Sequence, residues 1–261
     1  MNWLYEVALW LSGTLLCAGL IAISTAGLLA VRRWVLPRLA ITHEDAHFAG
    51  PLVHSVMVFY GLVLALIAVR VFDSYTETAH VVSLEATTVA ALFREIGGYP
   101  EPVRTELQAS IRDYVDQVIH EAWPQMRAGI VPLGGVRRMN VIQAQLAAFE
   151  PKTESEKIVH AEVMRGFNEF IKVRRQRLDR VRESLPGVQW MIVLLGAAIS
   201  LSATFFFRVP DVRLHVILVS LLALFIATVI FVMFSMDHPF RGDLRITAES
   251  YRLVYEQLME H

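Results

Sequence analysis

Residues 49–96 read AGPLVHSVMVFYGLVLALIAV and then RVFDSYTETAHVVSLEATTVAALFREI. The first part, Ala49 to Val69, holds no Asp, Glu, Lys or Arg, and His54 is its one ionisable side chain. A bilayer core is about 30 Å thick, so a spanning helix needs roughly 20 apolar residues. Ala49 to Val69 meets that length. The second part, from Asp73 to Ile96, has neither Gly nor Pro, so the same helix is expected to continue beyond the apolar stretch. Gly97-Gly98-Tyr99-Pro100 then stops it, because glycine ends helices and proline cannot extend one.

Three further blocks resemble the first part. Val7 to Val31, Val188 to Phe207 and Leu214 to Met236 are also uncharged and long enough to span. The chain has 261 residues, a formal net charge of -1, 55% hydrophobic and 19% charged residues. Soluble domains average about 25% charged residues. This shortfall, gathered into four blocks, excludes a soluble enzyme, a secreted disulfide scaffold and a disordered chain. The sole cysteine, Cys17, permits neither an intrachain disulfide nor a CxxC site. Val7 to Val31 lacks a basic n-region, is too long for a signal peptide, and is followed by arginines, so it is read as a retained helix. Trp3, Tyr5, Trp34 and Trp190 stand near block ends, where interfacial aromatics collect. The expected fold is an all-α membrane protein with four transmembrane helices in a two-plus-two arrangement. A large helical insert separates the pairs. The expected divisions are a hairpin over 1–70 (helices about 7–31 and 49–69), an extramembrane domain over 71–187, a hairpin over 188–236 (helices about 188–207 and 214–236), and a tail over 237–261.

The insert reads as helical throughout. Pro102 to Met126 places Val103, Leu107, Ile111, Tyr114, Val118 and Trp123 near one stripe, with Pro124 bending its end. Gly129 to Gly135 is expected as a loop and Val136 to Phe149 as a short helix. Thr153-Glu154-Ser155-Glu156 fits a capping box that opens a helix to Leu185, broken by Pro186-Gly187. Orientation has two opposed signals. Arg32, Arg33 and Arg38 after the first block, with Arg208 and Arg213 in the other short loop, put the insert outside by the positive-inside rule. Arg174, Arg175, Arg177, Arg180 and Arg182 at the approach to the third block favour it inside.

In the second helix His54, Val58, Gly61, Ala65, Ala68, Phe72, Tyr75 and Ala79 share one face by their spacing of three and four. Within the membrane that face is small; Val56, Phe59, Val63 and Ile67 opposite it suit lipid. Small faces serve close helix packing or, when several copies surround an axis, an apolar constriction that gates by dewetting. The pore-lining candidates are therefore His54, Val58, Gly61, Ala65, Ala68 and Phe72. Four membrane helices enclose no aqueous path alone, so a channel requires an oligomer. Arg70 and the Arg174 to Arg182 cluster would concentrate anions at a mouth; Asp73, Glu77 and Glu85 would concentrate cations.

His43-Glu44-Asp45-Ala46-His47 matches H-E-x-x-H, which on a helix presents two zinc-binding histidines with a glutamate base. A third ligand would have to come from elsewhere, with Asp237 or His238 available. Here the motif sits in what reads as a short connection rather than a helix, so His43 and His47 are weak metal candidates and zinc proteolysis is the minor reading. No phosphate-binding glycine loop or nucleophile–base pair is present, and no cofactor is expected.

The tail runs Asp237-His238-Pro239-Phe240-Arg241-Gly242-Asp243, with Asp237 and Arg241 expected to pair. A final helix is expected over Ala248 to Met259, N-capped by Thr247. With this tail, the start Met1-Asn2-Trp3-Leu4-Tyr5-Glu6, the Arg32-Arg33-Trp34 run, the His43 loop and the two-plus-two layout, the whole chain resembles the bacterial and plant family of unknown function labelled bestrophin-like. Asp237, Pro239, Phe240, Arg241, Gly242 and Asp243 are its most specific part. The resemblance is distantly to bestrophins, oligomeric anion channels whose second helix lines a pore with an apolar neck and whose helical domain is cytoplasmic. By position it implies neck residues at Gly61, Ala65, Ala68 and Phe72, which differ in size from the bulky neck aromatics of bestrophins. The acidic calcium clasp of animal bestrophins has no counterpart here, since calcium takes six to eight oxygen ligands.

The leading expectation is an oligomeric bestrophin-like ion channel, with anion conduction as one option and four or five subunits, in a bacterial inner (plasma) membrane. Its partners would be lipid bilayer, ions and copies of itself. The alternative is a non-channel membrane scaffold or sensor whose insert binds a partner. Near-neutral charge gives no argument for nucleic acid.

Overall fold

The structure, a computed structural model, describes residues 9–38, 43–207 and 209–260, without the side chains of residues 9 and 43–49. The sequence features at Met1–Glu6 and Arg208, and the side chains of His43, Glu44 and His47, lie outside the described residues. The elements in chain order are α1 (Leu9–Ala30), α2 (His43–Ile96), α3 (Val103–Gln117), α4 (Trp123–Arg127), α5 (Gly134–Ala148), α6 (Glu154–Arg180), α7 (Gly187–Phe205), α8 (Val212–Met236) and α9 (Glu249–Val254). Single π-helical turns follow α1, α3 and α9 at Val31–Val35, Val118–Ala122 and Tyr255–Met259. The chain is all-α, with no strand among the described residues. Four helices are long and apolar enough to cross a membrane: α1 with its π turn, α2, α7 and α8. It is an integral membrane protein.

Several boundaries differ from the sequence reading. α2 is one helix of 54 residues that already begins at His43 and passes through Pro51, so the H-E-x-x-H segment is helical backbone and not a connection. Pro51 sits close enough to the helix start to leave most of the hydrogen-bond ladder intact. α5 opens at Gly134, inside the expected loop. α6 ends at Arg180, short of Leu185; Leu185 precedes Pro186, which disfavours helical backbone there. The N-cap of α9 is Ala248 and not Thr247, because the Ala248 carbonyl accepts from Tyr251 and Arg252 and leaves Thr247 a residue early.

The chain divides into two compact units, residues 1–74 with 184–237 and residues 75–183 with 238–261. In the first, α1 runs along α8 and α7 touches both. Glycines set these contacts. A Cβ on Gly13 would stand 2.9 Å from the Phe231 ring, and one on Gly27 2.9 Å from the Phe205 ring. The Tyr60 ring of α2 rests on Gly196 of α7 and its hydroxyl donates to the Val193 carbonyl at 3.1 Å. Small residues let helix axes approach where lipid offers no hydrophobic drive. At one end Arg32 donates to the carbonyls of Val209 (2.8 Å) and Pro210 (3.2 Å). At α8's C-terminus Asp237 accepts from Leu185 N–H at 2.5 Å and Trp190 Nε1 at 3.2 Å.

The second unit surrounds a core of Val82, Val89, Leu92, Ile96, Leu107, Ile111, Met126, Ile142, Phe167 and Phe170. α3 packs on α5. The π turn before α4 absorbs Pro124, whose ring cannot sit over the carbonyl four residues back. The Thr153 capping box is formed: Thr153 Oγ1 accepts from Glu156 N–H and Glu156 accepts from Thr153 N–H.

Candidate functional site

α2 shows three longitudinal stripes. Tyr60, Leu64, Ile67 and Val71 form the packed one, with Leu64, Ile67 and Val71 at 5%, 9% and 4% exposure. At about 100° per residue, His54, Val58, Gly61, Ala65 and Phe72 lie roughly a third of a turn away, and all five are exposed. Ala68, nearest the packed stripe, is half-buried. Leu52, Phe59, Leu62, Leu66 and Val69 form the third, bulky and exposed stripe. Ile67 is thus not a lipid-facing residue as expected; it belongs to the packed stripe, whose spacing of three and four it continues. Val56, Phe59 and Val63 are exposed.

The glycine environments separate packing from the small face. Gly13, Gly27 and Gly196 each meet an aromatic ring of the same chain, whereas among the described residues a Cβ on Gly61, like one on Gly19 of α1, would meet nothing within 4 Å. Of the four apolar helices α2 is the least covered: 6% of its most apolar stretch is buried, against 33% for α8.

The tail motif has a structural role in the second unit. Phe240 is buried with its ring edge-on to Trp123, centroids 5.9 Å apart. Ile246 N–H donates to the Pro239 carbonyl, Trp123 Nε1 to Ile246 and Tyr75 to Leu244. Gly242 adopts a φ of +70°, which favours glycine, and Arg241 rests on Gly129, φ +74°. Among the described residues no cluster of three or more His, Cys, Asp or Glu could hold a metal ion.

The second unit also encloses an ion pair. Glu85 of α2 and Arg177 of α6 are 0% and 1% exposed. Arg177 Nε donates to Glu85 Oε2 at 2.5 Å and Nη2 to Oε1 at 3.2 Å. Tyr114 donates to Oε1 at 2.9 Å. Arg177 also donates to Met126 Sδ at 3.0 Å and stands 5.7 Å from the Trp123 ring centre and 6.0 Å from that of Tyr251. Burial opposes the guanidinium's charge, but Glu85 and the tyrosines outweigh it and hold Arg177 above its ordinary range. Burial, with the Glu85 charge beside them, pushes both Tyr114 and Tyr251 up, so both stay neutral.

This arrangement corrects the sequence reading of the charges. Glu85 and Arg177 neutralise each other in a core and concentrate no ions at a mouth, and Arg174 is buried too. Arg175 pairs with Asp179, and Arg180 pairs with both Glu183 and Glu77. A signal was present: Glu85 interrupts an apolar stripe of Val82, Val89 and Leu92, and Arg174 and Arg177 continue one of Val163, Phe167 and Phe170.

A family profile described as Bestrophin-like domain matches residues 18–251. No curated protein and no solved structure matches the chain. The profile takes in α2, the buried pair and the tail motif, and the chain belongs to the bestrophin-like family.

Proposed function

We propose that this chain forms an oligomeric ion channel in which α2 lines the pore, its His54-to-Phe72 face turned to an axis shared by several copies. One observation carries the reading: the face is small, and among the described residues a Cβ on Gly61 would meet nothing within 4 Å, while the glycines at 13, 27 and 196 are used up in packing. Narrow apolar surfaces around an axis suit a constriction that gates by wetting and dewetting. Family membership supports ion conduction and makes anions the first ions to test. The role is non-catalytic, and the proposed setting is a bacterial inner membrane.

The full chain in detergent is expected to be a tetramer or pentamer by a mass-resolving method, and to pass ions when reconstituted in liposomes. Gly61→Leu and Ala65→Leu are expected to lower flux about ten-fold or more by filling the constriction, with assembly unchanged. Normal flux in both variants removes α2 from the pore. An intact oligomer without flux favours the scaffold or sensor reading, in which the same face buries against a neighbouring copy; the folded second unit is what supports that alternative.

A further inference from the structure

The second unit gathers hydrogen-bond donors at the start of α5 that no described residue receives. Arg174 and Arg177 lie one turn apart on the apolar stripe of α6, 9% and 1% exposed. Glu85 neutralises Arg177. Arg174 makes no ion pair or hydrogen bond among the described residues, and its Nε is buried without a partner. Its Nη2 and Nε lie 2.8 and 3.5 Å from the point where a Cβ on Gly135 would stand. Gln117, 2% exposed, brings an unpartnered Nε2 to 3.2 Å from the equivalent point on Gly134.

These two glycines open α5. Its N-cap, Leu133, supplies no side-chain acceptor, and the N–H groups of Gly134 and Gly135 find none in the described backbone. A helix N-terminus carries partial positive charge, and a guanidinium only donates. Isolated charge in a protein interior is strongly disfavoured. The arrangement asks for a ligand that accepts hydrogen bonds and carries negative charge. One carboxylate is near: Glu121 Oε2 lies 3.8 Å from the Gly134 point, but Glu121 is 56% exposed and 4.0 Å from Arg138, so it borders the place from the solvent side. A side chain at Gly135 would displace the guanidinium, so glycine lets Arg174 lie against the first turn of α5.

We propose that Arg174, Gln117 and the Gly134-Gly135 turn bind a small inorganic anion of the chloride or phosphate class. None of these residues belongs to the small face of α2, so the site stands whether or not the chain conducts. The test follows thermal unfolding of the full chain in detergent at constant ionic strength, as chloride or phosphate replaces bulky isethionate. Wild type is expected to gain Tm with the saturation of a single site. Gly135→Ala, whose Cβ displaces only the flexible end of Arg174, and Arg174→Gln are expected to raise the half-saturating concentration about ten-fold or more. Gln117→Glu places an acceptor in the site and is expected to make Tm independent of the anion. A response to chloride alone identifies a halide site, and one to phosphate alone an oxyanion site. Parallel responses in wild type and Gly135→Ala mean a general salt effect and overturn the proposal, as does no response in wild type. If Arg174→Gln does not fold, Gly135→Ala decides.

Discussion

Replacing Glu85 with Gln tests the centre of the second unit while keeping its shape. The amide fits the carboxylate's space but removes the charge opposite Arg177, which is 1% exposed and has no solvent to turn to. Two bonds from Arg177, at 2.5 and 3.2 Å, cease to join opposite charges. Hydrogen bonds to charged groups contribute about 1.5–3 kcal/mol each, and breaking a buried pair from one side costs about 3–5 kcal/mol. We expect the lower half of the second range, because the amide oxygen still accepts one bond. For a chain of this size each kcal/mol shifts Tm by about 2–4 °C, so the midpoint should fall by roughly 10 °C. Trp123, whose ring faces Arg177, makes tryptophan fluorescence during heating the direct assay. The double variant Glu85→Leu with Arg177→Met should lose less than the sum of its single variants by about 2 kcal/mol or more, since no bare charge remains. A Glu85→Gln loss under about 1 kcal/mol, or an additive double variant, would refute the argument that desolvated charge holds this core.

Gly196→Leu should disrupt the first unit because the Tyr60 ring rests on that glycine, whereas Gly61→Leu should leave its unfolding midpoint within a few degrees; equal losses in both would show that Gly61 is also buried. Asp237→Ala should cost about 1–3 kcal/mol by stranding the Leu185 and Trp190 N–H groups, read as a lower midpoint and an altered Trp190 emission. Burial pushes Tyr99 from its ordinary 10.0 up to about 12, so the folded state favours the neutral phenol. Its contribution is complete below pH 10.0 and is lost as the pH rises through about 12. Tyr99→Phe should therefore show a shallower alkaline fall in stability, while an unchanged slope would rule out this group.

The membrane helices were legible because a bilayer demands length and apolarity, both of which a single sequence displays. The capping box at Thr153 was legible because its two bonds are local. The reading of Ile67 failed because α2 has two bulky stripes, and composition does not tell which meets protein and which meets lipid. Glu85 and Arg177 lie 92 positions apart, and a charged residue on an amphipathic helix is ordinarily solvated. The apolar stripe they interrupt was the available sign, and it was masked by acidic and basic neighbours such as Glu77 and Arg175. The small face of α2 was visible from spacing alone, but no local pattern reveals which glycines lie under rings of the same chain, as Gly196 does under Tyr60, Gly27 under Phe205 and Gly13 under Phe231.

α2 and α6 run antiparallel where Glu85 meets Arg177 and Glu77 meets Arg180. Apolar stripes of Val, Leu and Phe tolerate sliding, and a slip of one helical turn is about 5.4 Å. Such a slip would pass Glu85 from Arg177 to Arg174, the preceding arginine on the stripe, with the count of buried charges unchanged. Electrostatics alone therefore does not choose between the two alignments. The choice falls to the groups shaped around Arg177: the Tyr114 hydroxyl on Glu85, the Met126 sulfur, and the rings of Trp123 and Tyr251. Tyr114, Met126 and Trp123 come from the insert and Tyr251 from the C-terminal segment, so two separate stretches of chain read the alignment of the two central helices.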